Sequence, residues 1–104
     1  MTFDEYQDAV WDLALPQCKD MIYMALGLGE AGEIQGKIKK ILRGDKTLDQ
    51  TRDGLKGELG DLLYYVAGEA KACGLTLSEV AEYNITKLHD RRERGVLQGD
   101  GDNR

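Results

Sequence analysis

The 104 residues are enough for one domain with a modest core and too few for two. Hydrophobic residues at 41%, charged residues at 32% and a single proline fit a helical chain better than a sheet or a disordered segment. A net charge of −5 argues against nonspecific binding to a nucleic acid polymer or an anionic membrane, although an acidic protein still binds phosphates when metal ions lie between. No signal-peptide pattern and no apolar run of about 18 residues is present, so a cytoplasmic protein is expected. Cys18 and Cys73 are far apart, fit no zinc spacing and are expected to stay reduced.

Thr2 with Glu5 forms a capping-box signature for a first helix, which carries Phe3, Tyr6, Val10, Leu13 and Ala14 at helical spacing and ends at Pro16. A long second helix is predicted over 19–42, with Met21, Met24, Ala25, Leu28, Ala31, Ile34, Ile38 and Ile41 on its apolar side. Arg43 to Gln50 reads as a connecting loop. A third helix is predicted to begin at Thr51 and to stop at Gly74, a suitable left-handed cap. Thr76 with Glu79 starts a fourth, carrying Leu77, Val80, Ala81, Ile85 and Leu88. Residues 92–104 are polar and glycine-rich, a tail to a single domain spanning 1–104. The expected fold is all-α, an antiparallel bundle of four main helices. In the third helix the run from Leu62 to Ala67, with Leu59, is apolar nearly all round, which one small bundle cannot bury on every side. An oligomer is therefore expected.

Four acidic residues each follow a glycine: Glu30 and Glu33 in the second helix, Glu58 and Asp61 in the third. Three-residue spacing puts each pair on one helical face, and the glycines leave a bare stripe beside them. An interior glycine costs a helix roughly 1 kcal/mol relative to alanine. Repeating it suggests close approach of a second helix or room for a ligand. Leu28, Ala31 and Ile34 surround one pair and Leu59, Leu62 and Leu63 the other, so these acids sit near a core boundary, where ionised carboxylates need partners. The residues alone leave two readings open. One is a bound cation; the other is a set of salt bridges, Lys37 lying four residues after Glu33. An all-carboxylate ligand set without histidine or cysteine points to Mg²⁺, with Mn²⁺ as a substitute, rather than zinc. A di-iron centre wants Glu-x-x-His pairs, and His89 lies outside both motifs.

These residues resemble the MazG-like all-α nucleoside triphosphate pyrophosphohydrolases. The likeness is carried by residues 26–34 (LGLGEAGEI), 57–64 (GELGDLLY) and 84–88 (NITKL), with Arg91 and Arg94-Gly95 beyond, and it covers roughly 20–104. The resemblance implies Mg²⁺-dependent hydrolysis of a (deoxy)nucleoside triphosphate to the monophosphate and pyrophosphate, a nucleotide-pool cleaning activity, in a homodimer or homotetramer. It implies Glu30, Glu33, Glu58 and Asp61 as catalytic metal ligands. It also implies that Asn84, Lys87 and Arg91 face the phosphates, and their spacing along one helical stripe agrees. Three departures stand out. Gly29 occupies the position where some relatives carry an additional glutamate, a natural general base. Arg91-Arg92-Glu93 replaces the Arg-Tyr-Pro of many relatives. The loop between the second and third helices is shorter than in larger relatives, where it contributes to base recognition.

For the nucleobase, Gln7 and Trp11, four apart on the first helix, are the candidates to hydrogen-bond and stack, with Tyr23, Tyr64 and Tyr65 as secondary ones that also suit packing. Two alternatives accompany the hydrolase: a nucleotide-binding or sensing module without efficient hydrolysis, and a helical interaction protein whose acids are salt-bridged.

Overall fold

A computed structural model describes all residues, 1–104, and its only regular elements are helices. Helices α1 (Phe3–Leu13), α2 (Met21–Gly27), α3 (Ala31–Leu42), α4 (Leu48–Ala72) and α5 (Leu77–Glu93) follow in order. Short 3₁₀ turns at Pro16–Cys18 and Leu28–Glu30 punctuate the first half.

The capping boxes at Thr2/Glu5 and Thr76/Glu79 form as the sequence predicts, each threonine hydroxyl accepting from the N3 amide and each glutamate accepting in return. Gly74 adopts φ 78° and turns the chain from α4 into α5. Two expectations need correction. The helix expected over 19–42 is two helices. Asp20 caps α2 by accepting from the Ile22 and Tyr23 amides, and the chain tightens into the 3₁₀ turn at Leu28–Glu30 before α3 begins. Glycines at 27 and 29 make that local change of winding inexpensive. The connecting segment is also shorter than expected. Thr47 and Gln50 form a third capping box, so α4 starts at Leu48 rather than Thr51.

Helix α4 runs the length of the molecule, about 37 Å, and α1, α2, α3 and α5 all pack on it. Val10, Ala67 and Leu77 form the core where α1, α4 and α5 meet, with Tyr6, Leu63, Tyr64 and Val66 packed around them. Gln7 ties the same junction. Its amide nitrogen donates to the Ala67 and Leu75 carbonyls at 3.2 and 3.0 Å, and its oxygen accepts from the Leu77 amide at 3.1 Å. On the α2 side, Met24 is completely buried against Gly68, where a Cβ would lie 2.4 Å from the methionine sulfur. Helix α3 contains no buried residue.

The surface area is 7569 Å², against about 5,800 Å² for a folded monomer of this mass. The radius of gyration is 16.5 Å, against about 13 Å for a compact domain of this length. Large apolar side chains face outward, as at Leu13, Ile22, Leu26, Leu42 and Leu59.

Candidate functional site

The 3₁₀ turn delivers Glu30 to the flank of α4. There its carboxylate meets those of Glu58 and Asp61, one turn apart on that helix, with one oxygen from each residue lying within 4.8 Å of the others. Glu30 and Glu58 are half-buried, and Asp61 is exposed. Lys37 reaches from α3 to within 3.8 Å of Glu58 Oε1. Its expected i,i+4 partner, Glu33, points to solvent on the first turn of α3. Three carboxylates facing one ammonium leave two negative charges uncompensated, with oxygen donors only. That charge and donor chemistry fit a divalent hard cation.

Beside the acids opens a cleft of about 370 Å³, lined by Leu13, Leu15, Cys18, Tyr23, Tyr64 and Tyr65 together with Glu30 and Asp61. Close approach of α2 to α4 positions its rings: Gly27 lies so near Tyr65 that a Cβ there would sit 2.0 Å from Cδ1. Tyr64 and Tyr65 meet edge-on with centroids 5.1 Å apart, and Tyr23 lies 6.4 Å from Tyr65. Hydrogen bonding to Cys18 and that thiol's charge when ionised, with smaller contributions from Tyr65, push the Tyr23 phenol up to about 12. Burial raises Tyr64, and Tyr65 and Cys18 push the same way. On α1, burial raises Tyr6, with Asp61 and Tyr64 adding to the effect. These phenols therefore stay protonated around neutrality and offer O–H donors and uncharged rings next to the acids.

The MazG nucleotide pyrophosphohydrolase domain matches residues 20–96, three quarters of the chain and all of the acidic centre. The chain belongs to that family. It is also 46% identical over 115 aligned positions to the Gene 37 protein of Mycobacterium phage L5, with both chains covered in full. No solved structure matches it.

Other residues singled out in this MazG-family chain fall elsewhere. Gln7 is 3% exposed and has three backbone partners, which makes it a link between α1 and the α4–α5 turn rather than a group turned toward a ligand. Trp11 is half-buried and does not line the cleft. The tyrosines considered beside them, Tyr23, Tyr64 and Tyr65, are the aromatic groups the fold brings to the carboxylates. Asn84 is exposed. Lys87 and Arg91 converge, as their spacing predicts, but on the tail: Lys87 Nζ donates to Asp102 Oδ1 at 3.0 Å, and Arg91 Nη2 donates to the same oxygen at 2.9 Å and to the Asp102 carbonyl. These bonds, Lys87 first and then Arg91, hold the Asp102 carboxyl below the usual carboxylate range. None of Asn84, Lys87 and Arg91 lines the tyrosine cleft.

Proposed function

We propose that this chain is a Mg²⁺-dependent hydrolase of (deoxy)nucleoside triphosphates, cleaving the α–β anhydride to leave the monophosphate and pyrophosphate. The observation that carries the reading is the convergence of Glu30, Glu58 and Asp61 beside the tyrosine cleft in a MazG-family chain. Those three carboxylates would hold the cation, and Glu33, exposed one turn beyond Glu30, would join them by turning in from solvent. When bound, Mg²⁺ supplies charge for the phosphoryl oxygens and acidifies a coordinated water. The protein groups do the rest. Tyr64 and Tyr65 present ring edges and faces to a nucleobase, and the protonated Tyr23 presents a hydroxyl donor. A carboxylate oxygen at the centre is within reach to accept a proton from water. Lys87 and Arg91 would take the α-phosphate once Asp102 gives way.

The assembly is proposed as a homodimer or homotetramer in the cytoplasm. Support comes from the excess surface, the outward Leu26 and Leu59, and an α3 that buries nothing. An interface of standard size buries about 800 Å² per partner, well within the excess this monomer shows.

The test is to incubate the purified protein with Mg²⁺ and a panel of canonical and deoxy triphosphates and to separate the products by ion exchange. Monophosphate with pyrophosphate is expected; orthophosphate, or no product with Mg²⁺ or Mn²⁺, overturns the reading. A nucleotide-binding module without turnover is the second reading, and Gly29 favours it by leaving no carboxylate just ahead of Glu30. A Cβ at Gly29 meets nothing within 4 Å, so Gly29→Glu fits sterically. Under the second reading that variant gains pyrophosphate release from a silent parent.

A further inference from the structure

A second cleft, of about 140 Å³, lies between the end of α3 and the start of α4 and is lined by Lys37, Lys40, Lys46, Gln50, Thr51 and Gly54. No hydrophobic residue lines it. Three lysine side chains do, on a chain whose net charge is −5. The only carboxylate that pairs with any of them is Glu58, through Lys37; Lys40 and Lys46 form no ion pair. Like charges drawn together without counter-charge are destabilising, and an anion between them relieves that. Gly54 shapes the place: a Cβ there would stand 3.3 Å from Lys37 Nζ, so the absent side chain lets the amine lie against the helix.

The position of this cleft relative to the acidic centre gives it a meaning. Thr51, Gly54, Glu58, Asp61 and Tyr65 recur at spacings of three and four along α4 and share one stripe. Along that stripe stand first the lysine cleft, then the carboxylates, then the tyrosine cleft. From Thr51 to Tyr65 the helix rises about 21 Å, the scale of an extended nucleotide. Lys37 touches both the lysine cleft and Glu58.

The geometry points to the lysine cleft as an anion subsite for the β,γ-diphosphate of the substrate, which leaves as pyrophosphate. It orients the nucleotide along α4 with the base at the tyrosines, the scissile anhydride at the carboxylates and the polyphosphate end at Lys40 and Lys46. This assignment rests on the hydrolase reading for its substrate, but the anion subsite is testable without turnover. Lys40 and Lys46 are exposed and unpaired, so Lys40→Ala/Lys46→Ala leaves the packing intact. Titration calorimetry with inorganic pyrophosphate, without nucleotide, is expected to show about tenfold or greater weakening in the double variant, with nucleoside monophosphate binding unchanged. The Lys40→Arg/Lys46→Arg chain is expected to restore pyrophosphate affinity. In turnover the alanine variant raises KM for triphosphate more than it lowers kcat. Pyrophosphate affinity equal in parent and alanine variant overturns the subsite even if the parent hydrolyses triphosphates. Conversely, a parent that hydrolyses nothing but loses pyrophosphate binding on removal of the two lysines retains the subsite and sinks the hydrolase reading alone.

Discussion

The two ends of α4 are built differently. Around Ala67, Gly68 and Ala70 the helix is buried, with Val10, Leu77 and the threefold-bonded Gln7 closing over it. From Leu48 to Asp61 it is covered by α3 and the Leu28–Glu30 turn, and Thr51 is its one buried residue. The carboxylates and both clefts lie on the open half or at the junction. Stability is concentrated in one half and charge in the other, so substitutions are expected to separate the two properties.

The largest separation is expected at the acids. Glu58→Gln or Asp61→Asn should lower hydrolysis by about 10²–10³-fold with helical circular dichroism unchanged. The same variants should lose the rise in Tm that Mg²⁺ gives the parent, since a ligand bound only to the native state stabilises it. Near-parental turnover in both would remove these acids from the chemistry. Gln7→Ala is the converse substitution. It orphans the Leu77 amide and two carbonyls in or near the core, and about 3 kcal/mol of stability should be lost in urea denaturation. A full loss of activity at temperatures where Gln7→Ala remains folded would instead give Gln7 a role at the site.

Much of this division was legible in the residues. Glu58 and Asp61 announced their shared face by spacing, and the threonine caps at 2 and 76 marked their helices; Glu30 and Glu33 did not keep theirs, because the 3₁₀ turn ends at Glu30 and leaves Glu33 exposed on α3. Convergence of Glu30 with Glu58 and Asp61 depends on how α2 and α3 dock on α4, which periodicity within a helix does not encode. Gln7 carried a readable signal: it falls on the 3, 7, 10, 14 stripe of α1 with Phe3, Val10 and Ala14, where a polar residue needs buried partners. The Thr47/Gln50 capping box was equally present, but polar Asp49 and Gln50 read as loop. The break at Leu28–Glu30 follows from glycines whose helix penalty is small enough for tertiary packing to decide their conformation. Lys37 pairs across helices because α4 offers it Glu58 beside a bare Gly54, a neighbour that sequence separation conceals.

The outward apolar side chains also set what a partner copy must cover. Leu26 is 75% exposed, so Leu26→Asp should leave the isolated chain's stability nearly unchanged while shifting its sedimentation from oligomer toward monomer. An unchanged oligomer would place the interface elsewhere on the chain.

The smallest effect is expected where the tail meets α5. Arg91 is 5% exposed and donates to Asp102, as does Lys87, so the carboxylate stands where a phosphate would bind those two cations. Asp102→Asn keeps the shape and removes the charge, and KM for a triphosphate should fall by about two- to fivefold, because displacing a neutral amide from two cations is easier than displacing a carboxylate. The pH dependence has a definite sign. Asp102 titrates below its unfolded value, so the tie is present above the ordinary carboxylate pKa near 4 and is lost as pH falls through the lowered folded value. The tail should therefore loosen only in acid, and hydrogen exchange at residues 96–104 should rise there in the parent but be insensitive to pH in Asp102→Asn once intrinsic exchange is corrected. If KM is identical in the two proteins, Lys87 and Arg91 hold the tail and nothing else.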